Sequence, residues 1–180
     1  MSLFVLDASY ALSWCFRDRA TPNTDATLKR LEAAADSAIV PPIWHIEVAN
    51  APGKGVVRRK LSSERAQDIW AELALLPIRQ STCSLEVPKL LELAVQHNLS
   101  VYDVCYLQAA RLEEIPLASN DHDLLEAAES YGVPVMRPQQ ADRHKGAWPV
   151  ASRISEAGKA DTLSLVYPRF GLVSYAVYLP

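Results

Sequence analysis

The sequence carries no excess of positive charge: 18 lysines and arginines stand against 21 aspartates and glutamates, a formal net charge of -3 over 180 residues. That balance excludes the general basic field of many nucleic-acid binders, so any contact with nucleic acid must be local. Cysteine is scarce. Cys15, Cys83 and Cys105 are an odd number, far apart and without a CxxC pair, which argues against a disulfide framework or a cysteine metal site and fits a reduced, cytoplasmic setting. His45, His97, His122 and His144 share no ligand-like spacing such as HExxH, so neither a zinc site nor a histidine general base is expected. The first residues hold no basic stretch and reach Asp7 after a short apolar run, unlike a secretory signal. No apolar run approaches the roughly 18 to 20 residues that span a bilayer, so a soluble protein without membrane contact is expected. There is no internal repeat and no low-complexity tract.

What is present is a chain with 49% hydrophobic residues, enough to bury a core of its own. Leu3 to Leu6 predicts a buried strand that delivers Asp7 at its C-terminal end. A helix follows from Ala8 to Phe16, and another up to Ala35. Ala38-Ile39-Val40 is a second strand, stopped by Pro41-Pro42. From Trp44 a helix is expected to bury Ile43, Ile46 and Ala49 and to turn Glu47 off that stripe. Ser62-Ser63-Glu64 opens a further helix that ends at Pro77, with 78–80 a weak strand. Leu85 to His97 has helical spacing, with Asn98 as its cap. Ser100 starts a helix with Asp103 in its first turn. Pro116 to Ser119 reads as a strand, Asn120-Asp121 as the entry to a helix through Leu124, Leu125 and Ala128, and Val133 to Val135 as a last strand. Short strands alternating with helices predict an α/β sandwich with a mainly parallel sheet. The expected division is a domain over residues 1–137 and a C-terminal extension over 138–180. That extension breaks the alternation, and Leu163 to Tyr178 could form a hairpin or pack on a neighbouring chain.

In such a fold, ligands gather outside the carboxyl ends of the strands. Asp7 and Asp121 fall there, and Glu47 and Asp103 sit in helix first turns that can face the same crevice. Hard oxygen donors of this kind suit magnesium or manganese, which can activate water against a phosphodiester. Taken singly, each acid has a plainer use. Asp7, Asp103 and Asp121 could be helix N-caps worth about 1 kcal/mol each, and Glu47 a partner of a helix dipole. Asp123, about 200° round its helix from Asp121 at 100° per residue, is expected to face solvent.

Four blocks change that weighting: Val5-Leu6-Asp7-Ala8-Ser9, Glu47-Val48-Ala49-Asn50-Ala51, Val101-Tyr102-Asp103-Val104-Cys105-Tyr106-Leu107-Gln108-Ala109-Ala110, and Pro116-Leu117-Ala118-Ser119-Asn120-Asp121-His122-Asp123-Leu124. In this order they resemble the motif blocks of the PIN-domain family, and its VapC toxins most, over residues 3 to 136. The resemblance implies a PIN-like three-layer sandwich. It also implies a magnesium- or manganese-dependent endoribonuclease, usually dimeric and held inactive by a VapB-type antitoxin. It places Asp7, Glu47, Asp103 and Asp121 in one acidic pocket. Asp7, Asp103 and Asp121 would be the metal ligands, and Glu47 a second-site or water-orienting acid. Ser9 would support Asp7 by hydrogen bonding, and Asn120 would support the pocket or cap its helix.

The sequence departs from that pattern after Ala51, where Pro52-Gly53-Lys54-Gly55 predicts that the helix bearing Glu47 is kinked or ends early. Lys54, Arg58, Arg59 and Lys60 form the densest basic cluster and are candidates for RNA phosphates; a solvated face is the plainer reading. Arg17 and Arg19 are weaker candidates. Trp14, Trp44, Trp70, Tyr102 and Tyr106 read as packing residues. Three other classes stay open. One is a catalytically inert PIN-like protein that binds RNA or an antitoxin. The second is a PIN-fold nuclease acting on DNA. The third is a receiver-type phosphoacceptor, which wants a lysine at a late strand end, and none stands between Pro116 and Pro138.

Overall fold

The computed structural model describes residues 2–136, so the extension over 138–180 and its expected hairpin lie outside the described residues. The strands are β1 Ser2–Leu6, β2 Asp36–Val40, β3 Ile78–Gln80 and β4 Leu117–Ala118. They form one sheet in the order β3-β2-β1-β4, with every pair parallel. The helices are α1 Ala8–Cys15, α2 Pro22–Glu32, α3 Ile43–Val57, α4 Ser63–Ala74, α5 Val87–His97, α6 Val101–Glu113 and α7 His122–Ser130. The α/β architecture expected from the alternation is therefore the one observed.

The sequence dictates this arrangement through its strands. Phe4, Val5, Leu6, Ala38, Ile39, Val40, Leu117 and Ala118 are all buried, so the sheet must be covered on both faces. Parallel strands need crossovers, and these are right-handed almost without exception. The chain moves from β1 to β2 to β3 in one direction along the sheet, then returns past β1 to β4. That reversal places α1 to α4 and α5 to α7 on opposite faces, in keeping with the packing of α1 on α2 and α3, of α3 on α4, and of α6 on α5 and α7. The direction of winding switches between β1 and β4. A crevice opens at such a switch point, beyond the carboxyl ends of the two strands.

Four expectations are corrected. The helix α3 does not end at Pro52 but runs to Val57. A proline in a helix interior costs about 3 kcal/mol. Here Pro52 is buried with Trp44 and Val48 at positions i, i+4 and i+8, and each large apolar side chain so buried contributes roughly 1.5–3 kcal/mol. Tertiary packing outweighs the local penalty. The buried stripe also differs from the expected one, since Ile46 is 67% exposed. The last expected strand reduces to a single bridge between Leu117 and Val135. Among the aromatics, Trp14, Trp44 and Tyr106 pack in the core, but Trp70 and Tyr102 are 44% and 58% exposed.

An unbroken α3 makes a simple prediction. Gly53 is exposed in mid-helix, and a Cβ added there meets nothing. Gly53→Ala should stabilise the protein by about 1 kcal/mol, read as a raised denaturation midpoint; a loss of stability would mean that the helix is broken at Pro52.

Candidate active site

The crevice at the switch point is built from the residues that follow β1 and β4. Asp7 comes directly after β1 and is buried. Ser119 comes directly after β4 and is also buried. The Asp7 amide donates to Ala118 O at 3.0 Å, which fixes the two strand ends side by side. Ser119 Oγ then donates to Asp7 Oδ2 at 2.7 Å and accepts from the Asp121 amide at 3.0 Å. Ser9 Oγ donates to the same Asp7 oxygen. The hydrogen bond expected from Ser9 to Asp7 is made, and Ser119 makes a second one to the same oxygen. Asn120 is exposed, makes no hydrogen bond through its side chain among the described residues, and is not the cap of α7.

Asp7 is not an N-cap in the functional sense. It occupies that position before α1, but its side chain makes no cap bond. Asp103 lies in the first turn of α6, where Ser100 is the cap: Ser100 Oγ accepts from the Asp103 amide at 3.1 Å and donates to Asp103 Oδ2 at 2.6 Å. Glu47 stands in the second turn of α3, which removes it from the dipole role of a first-turn acid. Its Oε2 accepts a hydrogen bond from the buried Tyr106 hydroxyl. Asp121 does cap its helix, since Oδ1 accepts from the Asp123 and Leu124 amides at 2.9 and 3.1 Å. The plain reading thus holds for Asp121, and its exposed side chain leaves Oδ2 unengaged.

Electrostatics separates Asp7 from the structural acids. Among the described residues, Asp7, Asp36 and Glu72 are the buried carboxylates. Asp36 is gripped by Arg30, whose Nη2 donates to Oδ1 at 2.8 Å, and this holds its carboxyl below the usual range. Glu72 is paired with Arg65 at 2.6 Å. Asp7 has no such partner. Burial pushes its carboxyl up, the Ser9 and Ser119 hydroxyls act against that, and the charge of Asp103 pushes it further. Glu47 is raised for the same reasons: burial first, then the charges of Asp7 and Asp103, with the Tyr106 bond opposing. Asp7, Glu47 and Asp103 therefore act on one another with no lysine or arginine paired to them among the described residues, an arrangement that costs stability unless a cation joins it.

The donor set fits a hard divalent cation. In each of Glu47, Asp103 and Asp121 one oxygen is held by protein donors and the other takes no hydrogen bond from the described residues, and at Asp7 both serines take Oδ2. Oriented ligands with a free lone-pair face are what magnesium or manganese sites use, with water completing the shell. As placed, no group of three His, Cys, Asp or Glu side chains among the described residues could by itself hold a metal ion.

Of the basic cluster, Lys54 lies on the same helix as Glu47, and Arg58, Arg59 and Lys60 follow its end. At 100° per residue, Lys54 and Arg58 fall within about 20° of Glu47 around α3, roughly 10 and 16 Å further along its axis. Both are exposed, as are Arg59 and Lys60 beyond the helix end. Ser119 and Tyr106 are the residues that sequence reasoning missed. The signal for Ser119 was its place at the end of a strand beside the first, and for Tyr106 its position three residues after Asp103, on the same helical face.

Ser119→Ala should remove one of two donors to a buried carboxylate and cost about 1–3 kcal/mol in stability, measurable by denaturant titration at neutral pH. An unchanged midpoint would show that Ser119 does not hold Asp7.

The PIN domain family model matches residues 4–130. The chain belongs to the PIN-domain family, whose members are generally nucleases. Two solved structures resemble it at low identity. The crystal structure of FitAcB from Neisseria gonorrhoeae is 18% identical with a TM-score of 0.51, covering 78% of this chain and 100% of that one. The crystal structure of PAE2754 from Pyrobaculum aerophilum is 16% identical with a TM-score of 0.49, covering 70% of this chain and 84% of that one. No curated protein matches the sequence.

Proposed function

We propose that this chain is a magnesium- or manganese-dependent endoribonuclease, the toxin of a VapBC-type toxin-antitoxin pair. The observation that carries the reading is the gathering of Asp7 at the end of β1, bonded to Ser119 at the end of β4, with Asp103 and Glu47 near enough to act on its charge and no lysine or arginine paired with these acids among the described residues. Asp7, Asp103 and the free oxygen of Asp121 would hold the metal, and Glu47 would orient the attacking water or serve a second ion. The cation, when bound, supplies Lewis-acid polarisation of the phosphate and lowers the pKa of water. Ser9 and Ser119 keep Asp7 aimed at the crevice. Lys54, Arg58, Arg59 and Lys60 hold RNA phosphates, an electrostatic contact that weakens with salt. The toxin role, a VapB-type antitoxin partner and a homodimer follow from the motif resemblance, and a cytoplasmic setting from the scarce, scattered cysteines. The nuclease domain spans residues 1–137, and 138–180 is an extension without an assigned role. Among the described residues no helix is long and apolar enough to cross a membrane.

One observation favours a second reading, an inert PIN-like protein that binds RNA or an antitoxin: the acids do not form a ready metal cage. Incubating the purified protein with a mixed RNA panel in magnesium, manganese or EDTA decides between them. Cutting that needs the metal supports the nuclease. RNA retention without cutting in any condition, by folded protein, supports the inert binder.

A further inference from the structure

Tyr106 is 1% exposed, three residues after Asp103 on α6, and its hydroxyl donates across to Glu47 Oε2 on α3. The phenol is therefore the link that ties the second acidic block to the third. Only one oxygen of Glu47 is used, and Oε1 receives no hydrogen bond from the described residues. A carboxylate on a flexible side chain has two rotatable bonds beyond its first, and a single buried donor removes most of that freedom. We propose that Tyr106 is a positioning residue, whose hydroxyl fixes Oε2 of Glu47 so that Oε1 is presented to the acidic crevice. This rests on the nuclease reading for its catalytic consequence, but not for the contact itself.

The phenol acts as donor throughout the neutral range, because burial and the neighbouring Glu47 and Asp7 charges hold its pKa well above the ordinary tyrosine value. It faces a carboxylate whose charged surroundings are Asp7 from the end of β1 and Asp103 from α6, with the Cys105 thiol, held protonated by burial and by the Glu47 and Asp103 charges, also near it. Nothing else among the described residues donates to Glu47, so loss of the hydroxyl leaves the side chain undirected.

The test is Tyr106→Phe, which keeps the ring and its packing, combined with Glu47→Gln. In metal-free protein labelled with ¹³C at glutamate carboxyls, the Glu47 titration midpoint should move upward in Tyr106→Phe, since a hydrogen bond to the charged form is lost. In cleavage assays Tyr106→Phe should lower kcat roughly tenfold with little change in KM, and should have no further effect in the Glu47→Gln background. An unmoved Glu47 midpoint overturns the proposal. An equal loss of activity in both backgrounds also overturns it, by showing that Tyr106 acts through packing. If the wild-type protein does not cut RNA, the nuclease reading fails by itself, while the carboxyl titration still decides whether Tyr106 governs Glu47.

Discussion

Replacing Asp7 by Asn should make the metal-free protein more stable near neutral pH, by about 1 kcal/mol, and abolish metal-dependent cleavage. The direction follows from burial. The folded-state pKa of Asp7 lies above its ordinary value of 3.8, so the folded protein holds a proton more tightly than the unfolded chain does. Its contribution to stability is complete below that value and is lost as pH rises through the folded-state pKa. Glu47 is displaced in the same direction from 4.5. Stability in EDTA should therefore fall as pH climbs from about 4 towards neutrality, and Asp7→Asn should flatten part of that fall. Thermal unfolding across this range measures it, with an expected gain of about 3 °C at neutral pH. A variant that is less stable than wild type at neutral pH would make Asp7 a structural acid like Asp36, whose Arg30 partner is visible.

Divalent cations should have the larger effect on the wild-type protein. A ligand that binds only the folded state stabilises it by about 2.7 kcal/mol at a hundredfold excess over its Kd. A cation bound at the proposed site would also relieve the repulsion among Asp7, Glu47 and Asp103. Manganese should raise the unfolding temperature of wild type steeply with concentration and leave Asp7→Asn almost unmoved. Equal stabilisation of both proteins would place the ion elsewhere.

Much of this site was legible because it follows from short-range physics. An apolar run that ends on an acid announces a strand delivering a carboxylate, and Asp7 is found there. Ser100 with Asp103, and Asn98 as a left-handed cap at φ 53°, follow from backbone chemistry alone. The failures came where tertiary packing overrode local rules. Pro52 and Gly53 argued for a broken helix, but burial of Pro52 beside Trp44 and Val48 keeps α3 whole. The hydrophobic stripe of α3 was misplaced because Ile43, Ile46 and Ala49 share helical spacing as well as Trp44, Val48 and Pro52 do. Ser119 and Tyr106 were passed over since a serine in a strand end and a tyrosine among apolar residues carry no chemistry until their partners are adjacent. Both partners, Asp7 and Glu47, are more than fifty residues away in sequence.

The most direct measurement is cleavage of RNA in manganese by wild type beside Asp103→Asn, with both proteins shown to be folded. If Asp7, Glu47 and Asp103 form a catalytic metal pocket, wild type cuts, EDTA stops it, and Asp103→Asn is slower by at least about a hundredfold. Cleavage by Asp103→Asn at the wild-type rate would contradict the site, because the residue that couples electrostatically to both other acids would then be dispensable.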